Sequence, residues 1–274
     1  MRIQYFQVNA FTRDTFGGNP AGVCPLDQWL PDPALLQIAA ENNFAETAFF
    51  VAEESHYRLR WFTPIAEVDL CGHATVASAH VLFSELTGPS RFSESKIPFE
   101  TRSGRLEAHK RDDLIELDFP SRPPQPCEPP RELIAGLGAR PREIFRSRDY
   151  LAVFESQQDV ANLRPDMGQL AQLDALGIIA TAPGADSDFV SRFFAPKVGV
   201  PEDPATGSSH CTLIPFWSAR LNKMEMLARQ ISKRGGEFHC RLAGERVRIG
   251  GHAVTYCRGE LEIPRVDRVE SLNA

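Results

Sequence analysis

A glutamate inside an apolar run is the first residue of this chain that could do chemistry. Glu46 lies in the segment NFAETAFFV, where residues 44, 45, 48, 49, 50 and 51 are all apolar. The pattern from Glu46 to Ala52 predicts a strand that places Glu46 on the same face as Ala48 and Phe50. Apolar surroundings favour the protonated form of a carboxyl group, which suits an acid/base that both gives and takes a proton. The alternative is a strand-edge glutamate that reaches solvent.

Polar residues in three other segments are further candidates. Asp203 and Ser208 belong to PEDPATGSS, where they either act on a substrate or cap a helix. His73, in LCGHATVASAH, could donate from one ring nitrogen and accept on the other, or it could be a structural histidine. Asn19, in FGGNPAG, could point its amide at a substrate, with a turn-forming asparagine as the alternative.

Two long apolar runs, Gly72–Leu86 and Gly207–Leu221, predict helices that are buried on most of their faces. Each run begins at a glycine, and the unpaired backbone N–H groups of a helix N-terminus favour an anionic ligand. We therefore expect the N–H groups at Gly72 and Gly207 to bind a carboxylate or an enolate-like group.

The two runs belong to segments that resemble each other, RWFTPIAEVDLCGHATVASAHVLFS and RFFAPKVGVPEDPATGSSHCTLIPFWSAR. When Phe62 is set on Phe194, the second copy needs only three extra residues to bring Gly207 onto Gly72. This internal repeat predicts an α+β fold of two similar lobes. In each lobe a mostly antiparallel sheet or barrel wraps around a central helix.

Proline content suggests where the lobes meet. The run PSRPPQPCEPP holds six prolines, a density that neither a helix interior nor a central strand tolerates. We expect an N-terminal lobe at 1–119, a Pro-rich linker at 120–130 and a C-terminal lobe at 131–263. A tail at 264–274 could return to the first lobe.

Composition narrows the classes of partner. The formal net charge is −6, which provides no basic field for nucleic acid or an anionic membrane and points to a small-molecule partner. The N-terminal residues lack a signal-peptide core, and no apolar stretch approaches a membrane span, so we expect a cytoplasmic protein. The six cysteines form no CxxC pair and no Cys/His metal spacing, so neither a metal site nor disulfides are expected.

Four segments in order, FGGNPAGV, NNFAETAFF, LCGHATVASAH and EDPATGSSH, resemble the PhzF-like family of phenazine biosynthesis. The resemblance spans nearly the whole chain and includes the closing RVRIGGHAVTYCRGEL. It implies the two-lobed diaminopimelate epimerase-like fold, with the active site between the lobes. It also implies a homodimer that needs no metal or organic cofactor.

The resemblance implies an activity as well. In the phenazine enzyme the matching glutamate moves a proton between carbons of a cyclic dihydro-hydroxyanthranilate. By resemblance, Glu46 is the acid/base of an isomerase, while His73, Asp203 and Ser208 orient the substrate and assist the transfer. We therefore expect a small carboxylate-bearing substrate. The motifs do not distinguish dihydro-hydroxyanthranilate from another small acid, so the expectation stops at this class of molecule.

Two other functions stay open. Diaminopimelate epimerase and proline racemase use one cysteine from each lobe, and Cys71 matches the first of these positions. Where those enzymes have Cys-Gly-Thr-Gly in the second lobe, this chain reads PATG at 204–207, so a Cys71-dependent racemase or epimerase lacks its partner base. The third possibility is a non-catalytic protein-interaction module on the same scaffold. The presence of Glu46, His73 and Asp203 argues against it.

Overall fold

The structure, a computed structural model, describes residues 1–86 and 95–264. Beyond its first residue, the tail predicted at 264–274 lies outside these described residues. None of the helices within them combines the length and the apolar character needed to cross a membrane. The helices are α1 Asp32–Asn42, α2 Gly72–His80, α3 Arg131–Leu137, α4 Gln157–Asn162, α5 Met167–Leu170 and α6 His210–Leu221.

Strands make up most of the regular structure. In chain order they are β1 Arg2–Ala10, β2 Asn19–Leu26, β3 Thr47–Ala52, β4 Tyr57–Phe62, β5 Glu67–Val68, β6 Lys96–Thr101, β7 Gly104–Arg111, β8 Leu114–Pro120, β9 Gln125–Pro126, β10 Glu143–Arg146, β11 Tyr150–Val153, β12 Ile178–Pro183, β13 Phe189–Ala195, β14 Val200–Asp203, β15 Glu225–Gln230, β16 Gly236–Ala243, β17 Arg246–Gly251 and β18 Ala253–Glu262. This mixture of many strands with a few helices is the predicted α+β class.

The chain divides into two compact units. The first comprises Met1–Phe16, Pro20–Leu117 and the described residues from Gly251 onward, and the second comprises Gly17–Asn19 and Asp118–Gly250. The predicted linker at 120–130 therefore lies within the second unit. Strand β18, which the sequence analysis included in the second lobe, instead pairs with β1. The alternating pattern of β18 predicts a strand but does not specify its partner, because pairing is decided by tertiary packing.

The first unit surrounds α2 with strands. β1 and β18 are antiparallel from the pair Arg2 and Glu262 to the pair Ala10 and Ala253, with an irregularity after Gln7. β3 with β4, β6 with β7 and β7 with β8 are also antiparallel, whereas β2 with β3 and β4 with β6 run parallel. Every residue of α2 from 73 to 79 is buried, and the helix packs on β1, β3, β7 and β18. Its mostly small side chains allow strands to approach on several sides.

The second unit is built in a similar way around α6. Antiparallel pairs join β9 to β10, β10 to β11, β12 to β13, β15 to β16 and β16 to β17, and parallel pairs join β11 to β12 and β13 to β15. α6 packs on β15 and β16. Its Trp217 stacks on Phe189 with the ring centroids 5.6 Å apart and donates its indole N–H to the hydroxyl of Thr181 at 3.0 Å. A buried tryptophan with a satisfied N–H anchors the helix in one orientation.

The internal repeat is visible as a repeated ion pair. In the first unit Arg60 donates from Nε and Nη2 to Glu67, both at 2.8 Å, and in the second Arg192 donates in the same way to Glu202 at 2.7 and 2.9 Å. Each guanidinium also lies over the ring of the phenylalanine two residues later, at 5.0 and 4.9 Å. The partners are separated by 7 residues in the first copy and by 10 in the second. The three residues inserted in the second copy therefore fall between the arginine and its glutamate.

The two central helices differ from the prediction at their ends. α2 begins at Gly72 as expected, but it ends at His80 and the chain continues as a π-helical turn over Val81–Glu85. α6 begins at His210 rather than at Gly207, because residues 207–209 form a preceding turn. The carbonyl of Thr206 accepts hydrogen bonds from the Ser209 hydroxyl at 2.8 Å and from the ring of His210 at 2.9 Å, so side chains replace the helical N–H there.

Candidate active site

Glu46 lies at the end of a loop rather than inside a strand. The loop follows α1, whose C-cap Asn43 has a positive φ of 49° that turns the chain sharply. β3 begins only at Thr47, so the expected strand position of Glu46 is wrong by one residue. Asn42 donates a hydrogen bond from its side chain to the hydroxyl of Thr47 at 3.2 Å and closes the loop around Glu46. The Glu46 side chain is 20% exposed, which leaves its carboxylate mostly covered yet reachable.

Three side chains meet at the start of α2. His73 Nε2 lies 3.3 Å from Glu46 Oε2, and His73 Nδ1 lies 3.5 Å from Cys71 Sγ. Cys71 is the N-cap residue and makes no side-chain cap, while its carbonyl accepts from the Thr75 hydroxyl at 2.6 Å and from the Thr75 N–H at 3.1 Å. The loop before β3 and the N-terminus of α2 therefore bring a carboxylate, an imidazole and a thiol together.

This arrangement is consistent with one tautomer of a neutral imidazole. If His73 carries its proton on Nε2, it donates to the Glu46 carboxylate, and its Nδ1 accepts from the Cys71 thiol. In this tautomer each hydrogen-bond donor of the three side chains faces an acceptor, and no proton has to move between them. The donor atoms of the three residues lie within 4.8 Å of one another, and each is of a type that zinc accepts. The absence of a metal from the functional protein therefore stays a prediction.

In the second unit a hydrogen-bond network holds Asp203 at the end of β14. One carboxylate oxygen accepts from the Asn19 side chain at 2.8 Å, and the other accepts from the hydroxyl of Thr206. Asn19 is 1% exposed and also donates to the carbonyl of Ala205 at 3.0 Å. Its two amide hydrogens are thus directed at the loop that carries Asp203, which favours a positioning role for this residue over direct substrate contact.

Gln230 completes the same network. Its side-chain oxygen accepts from the Thr206 N–H at 2.8 Å, and its side-chain nitrogen donates to the carbonyl of Asp203 at 2.6 Å. The residue is 1% exposed at the end of β15. A single buried amide therefore fixes both ends of the segment 203–206. Gln230 was not among the residues predicted from the sequence, because nothing in its neighbourhood signals a partner 24 to 27 residues earlier in the chain.

Ser208 has a different partner from Asp203. Its hydroxyl accepts a hydrogen bond from Arg148 Nη2 at 3.2 Å, and Arg148 also donates to Asp149 at 2.7 Å from the same nitrogen. Asp149 is 1% exposed. Gly207 lies in the turn before α6, where its carbonyl accepts from the N–H of His210 at 3.0 Å. Arg148 was not among the residues predicted from the sequence, although a charged pair directly before the buried run YLAV is a signal that could have identified it.

Two further titratable groups near this turn are unsuited to proton transfer at neutral pH. His210 is fully buried, and burial lowers its pKa to about 4, so its imidazole stays neutral. Burial also raises the pKa of Cys211 to about 11, against the opposing charges of Arg122 and Arg148. A buried neutral thiol is a poor base and a poor nucleophile.

Comparisons with known proteins identify the family. A family model described as "Phenazine biosynthesis-like protein" (PhzC-PhzF) matches residues 8–259. An "uncharacterized isomerase" of Pseudomonas aeruginosa is 48% identical over 96% of this chain and 100% of its own length. A crystal structure of a PhzF-family phenazine biosynthesis protein from Enterococcus faecalis has a TM-score of 0.93 at 43% identity, over 96% of this chain and 100% of that chain.

A more distant structure defines the fold. A probable proline racemase from Agrobacterium radiobacter has a TM-score of 0.63 at 13% identity and covers 96% of this chain and 93% of its own. Similarity at this identity concerns the fold alone, and it confirms the predicted diaminopimelate epimerase-like class. The match over almost the whole chain, together with relatives that are named isomerases, shows that this chain is an isomerase-like member of the PhzC-PhzF, phenazine biosynthesis-like, family.

Proposed function

We propose that this protein is an isomerase that moves a proton within a small carboxylate-bearing substrate, in the manner of a trans-2,3-dihydro-3-hydroxyanthranilate isomerase. Glu46 is the acid/base. The observation that carries this proposal is the 3.3 Å separation between Glu46 Oε2 and His73 Nε2. A partly exposed carboxylate held by a buried imidazole has both a fixed orientation and access to a ligand. We also propose a cytoplasmic location, as expected from the sequence.

The proton balance of this reaction needs only one group. The Glu46 carboxylate takes a proton from one substrate carbon and returns it, as the carboxylic acid, to another carbon of the same molecule. The substrate gains and loses no electrons overall, which is why we expect no redox cofactor. His73 donates to the carboxylate while it is ionised, and it steadies the carboxyl group in each of its protonation states.

The remaining expected site residues are assigned to binding. We propose that Asp203 and Ser208 orient the substrate and that the N–H groups at Gly72 and Gly207 bind its carboxylate. The hydrogen bonds that fix both carboxylate oxygens of Asp203 support an orienting role, because a preorganised acceptor loses little freedom when a ligand binds. Asn19 helps to position Asp203, because its side-chain amide donates to one of the carboxylate oxygens.

Hydrogen exchange tests the proposal. The native protein is incubated in D2O with a panel of small unsaturated and β-hydroxy amino acids and related cyclic carboxylates, and deuterium incorporation is followed by NMR. Replacing Glu46→Gln should reduce exchange at least about 100-fold, because the amide cannot carry the proton. Glu41→Gln makes the same change at an exposed position of α1 and should leave the rate unchanged. Full activity of the Glu46→Gln protein would contradict the mechanism.

A Cys71-dependent racemase or epimerase is the second candidate. It is favoured by the 3.5 Å separation between Cys71 Sγ and His73 Nδ1, since the imidazole could take the thiol proton and leave a thiolate base. The proposed mechanism predicts only a mild effect of Cys71→Ala on exchange. Complete loss in a folded Cys71→Ala protein, with inversion of an amino acid detected by chiral chromatography in the native protein, would favour racemisation instead.

A third outcome remains for the same exchange experiment. If no acid in a broad panel exchanges hydrogen, the non-catalytic interaction module becomes the preferred function. The close approach of Glu46, His73 and Cys71 argues against that outcome, because a scaffold that has lost its chemistry has no need to keep these three groups together.

A further inference from the structure

The side chain of Arg148 is held in an unusual way beside Ser208. It donates from Nε to Asp149 Oδ2 at 3.1 Å and from Nη2 to the same oxygen at 2.7 Å, and Nη2 also donates to the Ser208 hydroxyl at 3.2 Å. The carboxylate that holds it is 1% exposed, whereas the arginine side chain is 31% exposed. One edge of the guanidinium is therefore fixed from within the second unit, and the side chain as a whole remains partly exposed.

Unused donors distinguish Arg148 from a purely structural arginine. Within residues 1–86 and 95–264, no group accepts a hydrogen bond from Arg148 Nη1. Arg192 provides the contrast, because its Nη1 donates to the carbonyls of Val160 and Leu163, both at 3.1 Å, and its side chain is only 11% exposed. A guanidinium has five N–H donors, and each of them can bind an anionic oxygen. Both Nη1 hydrogens of Arg148 are left for such a partner, whereas both Nη1 hydrogens of Arg192 are used by the two carbonyls.

The local charge also favours an anion. The positive charges of Arg122 and Arg148 both act on the thiol of Cys211, in the first turn of α6, against the single negative charge of Asp149. Arg122 is tied to this turn through its backbone, whose N–H donates to the carbonyl of Cys211 at 2.8 Å. Two positive charges and one negative charge therefore act at the start of α6, a balance that favours an anion near Ser208.

We propose that Arg148 is a substrate-binding residue that recognises a carboxylate, or a similar planar anion, through its free Nη1 hydrogens and the hydroxyl of Ser208. Asp149 is a positioning residue that holds the guanidinium in place. The Ser208 oxygen accepts from Arg148, and its own hydrogen has no acceptor within the described residues, so it can point at the same ligand. The proposal rests on the proposed function, and it narrows the substrate to molecules that carry an anionic group recognised by the second unit.

Binding of a matched pair of probes tests the assignment without requiring turnover. The native protein is titrated with 2-aminobenzoate and with 2-aminobenzamide, its uncharged counterpart, and the shifts of the amide signals of residues 207 and 208 are followed by NMR. The native protein should bind the acid more tightly. Arg148→Gln should weaken binding of the acid about 10-fold or more, the usual size of one charge-assisted hydrogen bond, and leave the amide unaffected.

Two variants control for charge and for folding. Arg142→Gln removes the same charge from an exposed ion pair of the second unit and should not change binding of either probe. Arg148→Gln leaves the buried Asp149 without its partner, so the double variant Arg148→Gln, Asp149→Asn is measured beside it, with thermal unfolding as a check of the fold. It should show the same loss of affinity for the acid. Arg148→Lys keeps the charge but not the planar fork and should be intermediate.

The results separate this proposal from the isomerase proposal. Equal affinity of the native protein for acid and amide, or an equal loss of both in a folded Arg148→Gln protein, would overturn the role of Arg148. A dependence of acid binding on Arg148 in a protein that exchanges no substrate hydrogen would contradict the isomerase mechanism and support the anion site. Hydrogen exchange that depends on Glu46 but not on Arg148 would support the isomerase mechanism and contradict the anion site.

Discussion

The stability of the second unit should depend on pH through His210. This histidine is fully buried at the start of α6, where its ring stacks on Phe238 with the centroids 3.9 Å apart. Nδ1 lies 2.9 Å from the carbonyl of Thr206, which can only accept, so Nδ1 carries the proton. Within the described residues Nε2 has no hydrogen-bond partner. A second proton at Nε2 would therefore place an unpaired charge among aromatic rings.

The size of the effect follows from the two pKa values. Burial lowers the pKa of His210 from 6.5 to about 4, so between these pH values the unfolded chain binds more protons than the folded protein. The stabilising contribution is therefore complete above pH 6.5 and is lost progressively as the pH falls towards 4. At about 1.4 kcal/mol for each pKa unit, acidification from neutral pH to pH 4 should cost about 3 kcal/mol through this side chain.

Urea unfolding of the native protein and of His210→Asn, followed by tryptophan fluorescence from pH 7.5 to pH 4.5, measures this contribution. Asparagine can still donate to the Thr206 carbonyl, but it does not titrate and it loses the stacking contact. We expect His210→Asn to be less stable at neutral pH and to approach the native protein by about 2 kcal/mol at the acidic end. Parallel curves for His210→Asn would refute the reasoning.

Three further predictions concern the loop, the metal and the assembly. Gln230→Leu leaves the N–H of Thr206 and the carbonyl of Asp203 without their buried partner, so the free energy of unfolding should fall by about 2–4 kcal/mol in urea titrations. An unchanged value would mean that the loop finds other partners. Dialysis against a chelator should leave the exchange rate unchanged, whereas loss of activity that zinc restores would show that the protein needs a metal, for which Glu46, Cys71 and His73 offer ligands. Light scattering should give twice the mass of one chain, and a single-chain mass would remove the expectation of a homodimer without affecting the chemistry.

Local patterns were sufficient for the fold and for the family. The buried helix beginning at Gly72 follows from an apolar run that starts at a glycine, and the alignment of Phe62 with Phe194 located two copies of one supersecondary unit. The predicted isomerase and its diaminopimelate epimerase-like class, confirmed by the comparisons, rested on four short segments in a fixed order. These features depend on residues that are close together in the chain.

Features that depend on distant residues were not accessible in this way. The hydrogen bond between Arg148 and Ser208 spans 60 positions, and the pairing of β1 with β18 joins the two ends of the described chain. The helix expected from Gly207 begins only at His210, where the side chains of Ser209 and His210 both bond to the carbonyl of Thr206. The sequence of this turn does not show that these bonds form. Such details are decided by packing between elements, which short-range periodicity does not encode.

The repeated ion pair gives a physical reason why the two copies could diverge in chemistry. The same kind of ion pair fixes the strand before each helix, between Arg60 and Glu67 and between Arg192 and Glu202. The residues between the glutamate and the helix are therefore not needed to fix that strand. In the first unit this segment ends at the thiol of Cys71 and the imidazole of His73, beside Glu46. In the second it ends at a carboxylate fixed by neighbouring hydrogen-bond donors, while the nearby thiol and imidazole are buried with pKa values of about 11 and about 4. Groups with such pKa values exchange protons poorly near neutral pH. A two-base mechanism would need matched bases in both units, so these environments favour the proposed one-base mechanism.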